Sequence, residues 1–240
     1  HLGDARVREC LQLGAEAFGW RERVALPPDN GRYRRGVGVA CGGHKNGILS
    51  NHFPETSTMT LKMNEDGSLN LGATLHEVGG GSVVTMRIIV AEVLGVDPSL
   101  ISAGEADSEV TPFDFGCFGS RVTYVCGASA HAVAVAMQQR LLAAAAALLA
   151  EPAAALCAVP GRIELTGRPG SGLSFAEIAH RTRMERAEDI VVTNTYTGRS
   201  NPGSYSVQFA EVEVDVLTGL VRVTDFLAVV DIGCATNRGL

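Results

Sequence analysis

The sequence predicts an α+β fold in which sheets and helices form layers, and three observations predict it. Met59, Leu61 and Met63 alternate with polar residues, a turn follows at 65–68, and Leu69 and Leu71 alternate again, as in a β-hairpin. Two long stretches read as helices: 83–94, apolar nearly all round and therefore buried, and 120–149, increasingly rich in alanine. Tyr205, Val207 and Phe209 then restore the two-residue period before the turn Leu217-Thr218-Gly219 and a returning strand over 220–230. Hairpin, helix, helix, hairpin is the expected order, with each element burying its apolar face on another layer.

Taken in order, residues 4–18 place Val7, Leu11, Leu13, Ala15 and Phe18 among charges at helical spacing, a surface or linker helix ending near Gly19-Trp20. Pro27-Pro28-Asp29-Asn30-Gly31 reads as a loop. Val37, Val39 and Cys41 alternate with glycines, as a strand with close backbone neighbours would. Helix 83–94 has Thr85, Arg87 and Glu92 as its polar exceptions, and residues 101–103 form a short strand before the polar loop 104–114. Pro152, Pro160 and Pro169 make the next stretch a connector. Ser174-Phe175-Ala176-Glu177 has the capping-box pattern for a short helix to about Arg183. Val212, Val214 and Val216 alternate on the opposite phase to Val207 and Phe209, which predicts a bulge near Ala210-Glu211 or a strand buried on both faces.

Composition bounds the function. At 240 residues the chain can bury a substantial core, and its apolar share of 46% describes an ordinary globular protein. A net charge of −6 leaves no basic surplus for nucleic acid or an anionic membrane. The six cysteines are scattered without a C-x-x-C pair, the pattern of reduced thiols in a cytoplasmic protein. The greasiest run, 141–150, is about half the length a bilayer needs, so a buried helix is expected there. The first residues lack a signal-peptide core, and a start at His1 rather than Met leads us to expect a processed or partial polypeptide.

The chemistry concentrates in two segments. Gly79-Gly80-Gly81-Ser82 stands at the head of helix 83–94, where residues without Cβ let backbone N–H groups close on a ligand and the helix dipole favours an anion. Phe118-Gly119-Ser120-Arg121 opens the next helix and supplies a hydroxyl and a guanidinium. Together they read as a cradle for a phosphate-bearing cofactor. Gly79–Gly81 as a ligand-free turn, Ser120 as a simple helix cap and Arg121 as a surface arginine are the bland alternatives. His76 and Glu77 are adjacent and would face opposite ways on an extended segment, and no histidine or cysteine shows ligand spacing, so no metal site is assigned. No nucleophile elbow, P-loop lysine or strand–GxGxxG–helix unit is present.

Several signatures stand in fixed order: GAEAFGW at 14–20, RGVGVA at 35–40, DGSLNLG at 66–72, EVGGG at 77–81 with AEVLG at 91–95, FGSRVTY at 118–124, and VEVDVLTG at 212–219 ending in Asp231-Ile232-Gly233. This series resembles the molybdenum-binding subunit of the xanthine dehydrogenase and aldehyde oxidase family, in its second cofactor-binding half, over nearly the whole chain. The resemblance implies a molybdopterin cofactor carrying molybdenum, in the cytosine dinucleotide form, and iron–sulfur and FAD groups on partner domains or subunits. It implies that Gly79, Gly80, Gly81 and Ser82, with Gly119, Ser120 and Arg121, surround the pterin and its phosphates, and that Phe118 lines the substrate funnel.

The implied reaction is oxidative hydroxylation of an aldehyde or an N-heterocycle such as a purine. The family's glutamate base would lie beyond Leu240 and the first half of the metal pocket before His1, so no catalytic residue is assigned and the chain alone is expected to be inactive. On this view 1–35 is a linker helix and loop, 36–150 the cofactor-binding subdomain, 151–187 a connector with a short helix, and 188–240 the start of a second β subdomain. Surfaces that meet the rest of the subunit are expected to expose apolar residues. Gly80 replaces the Gln usual in the family's turn, and Val84 and Ile88 replace a usual Thr and Gln. That loss of polarity supports the alternative, a non-catalytic molybdopterin carrier or degenerate homologue.

Overall fold

A computed structural model describes residues 5–26, 31–50 and 52–237; of the loop expected at 27–31, residues 27–30 lie outside them. The chain forms two compact units, one built from residues up to Asn46 with Pro202–Ala235, the other from Gly47–Asn201. This division differs from the one the sequence suggests. Residues 36–46 pair with the C-terminal strands, and residues 190–197 belong with the central hairpin, because strand pairing rather than proximity along the chain decides which segments share a core.

In the central unit, strands β2 (Thr56–Met63) and β3 (Leu69–Gly72) form the expected hairpin, with Leu61 opposite Leu71. Met59, Leu61 and Met63 are buried while the residues between them are not, the period-2 signature of a half-covered sheet. The sheet has four strands in the order β4 (Ile101–Ala103), β3, β2, β8 (Ile190–Thr197). Strand β8 is absent from the sequence reading: apart from Ile190 it carries mainly polar and half-exposed residues. Its register on β2 is held partly by Thr58–Thr195 and Thr60–Thr193 hydroxyl pairs at 2.8 and 2.9 Å.

Helices α3 (Ser82–Leu94) and α4 (Gly127–Leu149) pack with this sheet. Met86, Val90 and Leu94 of α3 and Val133, Ala134, Met137 and Leu141 of α4 join Met59, Leu61 and Leu69 in one core. By length and composition the helical stretch 122–149 could cross a membrane. Here its core-facing stripe is covered by the sheet and by α3. The helix does not start at Ser120: a wide π-type turn over Val122–Cys126 precedes it.

The expected connector is instead a small antiparallel sheet of β5 (Leu156–Val159), β6 (Arg162–Leu165) and β7 (Gly172–Ser174). Each strand buries one apolar residue (Leu156, Ile163 and Leu173), too few for a period to show. Gly172 (φ +115°) is fixed by crowding, since a Cβ there would meet the Ile163 carbonyl oxygen at 2.2 Å. Helix α5 (Phe175–Arg186) starts with the full capping box, Ser174 Oγ accepting the Glu177 N–H at 3.2 Å and Glu177 accepting the Ser174 N–H at 2.7 Å.

The other unit is a three-stranded antiparallel sheet, β1 (Tyr33–Lys45), β9 (Gly203–Asp215) and β10 (Val221–Asp231), with β9 central. Helix α1 (Val7–Phe18) lies on it and ends at left-handed Gly19; a second short helix, α2 (Trp20–Ala25), follows. Cys10, Phe18, Val207 and Phe209 make its core. The expected irregularity near Ala210-Glu211 sits on the partner strand: β9 keeps register with β1 throughout, and Thr224 of β10 is the extra residue opposite Glu211. The change of hydrophobic phase has a second cause. Beyond Phe209 the same face of β9 carries Glu211, ion-paired with Arg23 and Arg35, and Asp215, held by Arg32 at 2.7 Å.

Candidate functional site

Both glycine segments of the sequence reading lie in the central unit, and the structure brings them side by side. The peptide between β3 and α3 carries Thr74, whose hydroxyl meets that of Thr111 at 2.9 Å. Two residues on, the His76 carbonyl accepts hydrogen bonds from Ser82 Oγ at 3.1 Å and from Cys117 Sγ at 3.2 Å. One oxygen therefore ties the head of α3 to the loop that precedes α4. Cys117 is a half-buried strut between the two segments.

At the head of α3, Gly79 (φ +95°) and Gly81 (φ +64°) adopt left-handed backbone that only glycine takes freely. Their N–H groups converge on one acceptor, Glu77 Oε1, at 2.8 and 2.9 Å, while Ser82 Oγ donates to Glu77 Oε2 at 3.1 Å. Partial desolvation opposes ionisation of Glu77, but the N–H groups of Gly81 and Gly79, the Ser82 hydroxyl and the Val83 N–H outweigh it and hold its carboxyl below the ordinary value. The donors of the turn thus gather on an anion, and that anion is the chain's own carboxylate. A Cβ on Gly79 or Gly80 would meet no atom within 4 Å, so the outer side of the turn is open to a bulky group.

In the second segment, Gly119 (φ +60°) and Ser120 (φ +51°) are two consecutive left-handed residues, and Phe118 and Ser120 are exposed. Ser120 does not begin the helix as a cap; it belongs to the turn before it. A Cβ on Gly119 would lie 2.7 Å from Ile48 Cγ2, and its carbonyl accepts the Gly47 N–H at 2.8 Å, so only glycine fits. Phe113 and Phe118 are largely exposed, and Phe115 packs edge-on to both Phe53 and Phe113.

Arg121 departs from its expected role. Its side chain is 0% exposed and its donors are spent inside the protein. Nε donates to Glu55 Oε1 at 2.6 Å, Nη1 to Asp114 Oδ1 at 2.5 Å and to the Gly116 carbonyl at 3.1 Å, and Nη2 to the Thr56 carbonyl at 2.6 Å. Burial works against the charged form, but Glu55 and Asp114 more than restore it, and the guanidinium pKa is raised. It therefore presents no donor to a phosphate outside. Beside it, burial and the Asp114 charge push the Cys126 thiol up to about 12. The roles of Glu77 as acceptor in the turn and of Glu55 and Asp114 as partners of Arg121 are not expected from the sequence. For Glu77 a signal existed, a carboxylate two and four residues before Gly79 and Gly81. Glu55 and Asp114 meet Arg121 only in three dimensions.

The residues fit a phosphate-bearing cofactor on the evidence of Glu77: an anionic acceptor already satisfies the N–H groups that a phosphate oxygen would use, and the turn is open on its outer side. Among the described residues no group of three or more His, Cys, Asp or Glu side chains is placed to hold a metal ion.

Residues 13–240 match the molybdopterin cofactor-binding domain family, and the chain belongs to it. It is 32% identical over 241 residues to the putative xanthine dehydrogenase molybdenum-binding subunit XdhA of Escherichia coli K12, covering 97% of this chain and 32% of that protein. It is 26% identical over 234 residues to the aldehyde oxidoreductase molybdenum-binding subunit PaoC of the same strain, covering 96% of this chain and 29% of that one. In fold it is similar to CO dehydrogenase from Oligotropha carboxidovorans (TM-score 0.81, 18% identity, 95% of this chain and 31% of the other). Quinoline 2-oxidoreductase from Pseudomonas putida 86 is also similar (TM-score 0.78, 24% identity, 95% and 31%). The chain thus spans about a third of the length of these relatives.

Proposed function

We propose that this chain is the second cofactor-binding part of a molybdenum hydroxylase large subunit, one that oxidatively hydroxylates an aldehyde or an N-heterocycle such as a purine. The observation that carries the reading is the His76 carbonyl, which joins the Gly79–Ser82 turn to the Phe118–Ser120 turn so that both offer donors on neighbouring surface. Gly79, Gly80, Gly81 and Ser82 would hold a pterin phosphate through backbone N–H groups and one hydroxyl, taking over the donors that Glu77 now uses. Gly119 and Ser120 would contact the same cofactor from the other side, and Phe118 would line the approach of the substrate. When bound, the molybdenum–pterin group supplies the two-electron chemistry that inserts water-derived oxygen into a C–H bond. What this chain adds is binding, orientation and exclusion of water.

A cytosine dinucleotide form of the cofactor, iron–sulfur and FAD partners that remove the electrons, and a cytoplasmic location complete the reading. Six free cysteines support the location.

Gly80 provides the test, because a side chain there meets open space. In the intact large subunit, Gly80→Asp sets a negative charge against the phosphate and is expected to lower molybdenum and pterin content by about tenfold, the scale of one lost charge-assisted contact. Gly80→Gln, neutral and one methylene longer, is expected to keep the cofactor. Equal cofactor content in the Asp and Gln variants would remove the turn from the binding site. Cofactor bound with no hydroxylation of any aldehyde or heterocycle would favour the non-catalytic carrier.

A further inference from the structure

We propose that Arg121 is a positioning residue, whose buried fork with Glu55 and Asp114 sets the Phe118–Ser120 turn in the shape that presents Gly119 and Ser120 to the cofactor. The inference rests on the reading of that turn as a cofactor contact. The charge at this site is unusual: one guanidinium and two carboxylates share a place where the side-chain exposures of Arg121, Glu55 and Asp114 are 0%, 0% and 3%. As a means of stability this is a poor arrangement. Desolvation of three ionised groups consumes most of what their attraction returns, and apolar residues of the same shape would serve as well. What a planar fork with fixed donor directions supplies, and apolar packing does not, is geometry.

The geometry converges on the turn. Nη1 holds the Gly116 carbonyl and Asp114, and Asp114 Oδ1 in turn accepts the Gly116 N–H at 2.8 Å, so Gly116, at the entry to the turn, is fixed at both its N–H and its C=O. Nε holds Glu55, whose other oxygen accepts the Ile48 N–H. Residues 47–48 are the wall of the turn: the Gly47 N–H donates to the Gly119 carbonyl, and Ile48 fills the space a Cβ on Gly119 would need. Nη2 ties the assembly to the sheet through the Thr56 carbonyl at the start of β2. Arg121 thus closes a ring around Gly119 and Ser120 while pointing away from the exposed side. Ser120 at φ +51° is backbone that a residue with a side chain keeps only when its surroundings impose it.

The experiment uses the intact molybdenum subunit loaded with cofactor. Its readouts are the rate of cofactor release, followed by pterin fluorescence and metal analysis, and the melting temperature. Arg121→Lys keeps the charge and loses the fork. It is expected to speed release by about tenfold or more, the scale seen when an orienting partner behind a bound group is lost. A neutral triple variant, Arg121→Met with Glu55→Gln and Asp114→Asn, removes the charges together. It is expected to hold the melting temperature of the native subunit while releasing cofactor as fast as Arg121→Lys. A triple variant that retains cofactor like the native subunit would overturn the inference, since packing alone would then suffice. Ser120→Asp separates the two layers of the argument. If it leaves release unchanged, the turn is not a cofactor contact and the underlying reading fails. If it speeds release while Arg121→Lys does not, the positioning role alone fails.

Discussion

At the scale of single residues, the site is organised by carboxylates that occupy the chain's own donors. Glu77 fills the glycine cradle, and Glu55 and Asp114 neutralise Arg121. The glycines and Ser82 were legible in the sequence because conformational demand and helix position are local properties. The fate of Arg121 was not, because a guanidinium in an FGSR string looks the same whether it faces a phosphate or two buried acids. Cys126 belongs to the same interior, and its thiol, pushed up to about 12, stays protonated at neutral pH. We expect Cys41 and Cys234, both exposed, to react first with a maleimide at pH 7.5, and Cys126 and the buried Cys10 only after denaturation. Peptide mapping of the labelled protein reads this directly; early labelling of Cys126 would mean that the buried network opens readily.

At the scale of elements, the strongest local signals matched the structure. The 59–71 hairpin, helix 83–94, strand 101–103 and the capped helix after Ser174 each carry their own period or cap. Strands β5 to β8 were hidden because three bury one apolar residue each and the fourth is mostly polar. The phase change in β9 looks like geometry in the sequence but is largely chemistry, arginine-paired acids replacing apolar residues on one face.

Two outcomes belong to these elements. Gly14 of α1 lies against β9, where an added Cβ would be 2.2 Å from Phe209 Cε2. Gly14→Ala is therefore expected to destabilise its unit by about 1–3 kcal/mol through overpacking, read as a lower urea midpoint. Asp215, before the β9–β10 turn, is held at about 2 by its hydrogen bonds with Arg32, which outweigh desolvation, and by the Leu217 N–H. A lowered carboxyl contributes stability that is fully present above its ordinary value of 3.8 and lost as pH falls through about 2. Carbon NMR of the carboxyl should give a midpoint near the lower figure; a midpoint at the ordinary value would dissolve the Arg32 contact.

At the scale of the molecule, membership of the molybdopterin cofactor-binding domain family agrees with the resemblance that the ordered motifs carry. The division of the chain was the least legible part, since β1 finds its partner β9 far along the sequence and no local pattern announces such pairing. The C-terminal sheet and its turn expose Leu217, Leu220, Val221, Val223, Phe226 and Val230. If the Gly79–Ser82 and Phe118–Ser120 turns together hold a pterin phosphate, an experimental structure of the intact large subunit with its cofactor bound will show it. The account predicts phosphate oxygens within hydrogen-bond distance of the Gly79 and Gly81 N–H groups and of Ser120, with Glu77 displaced and Arg121 still enclosed by Glu55 and Asp114. Phosphates bound elsewhere, with Glu77 still seated on Gly79 and Gly81, would contradict it.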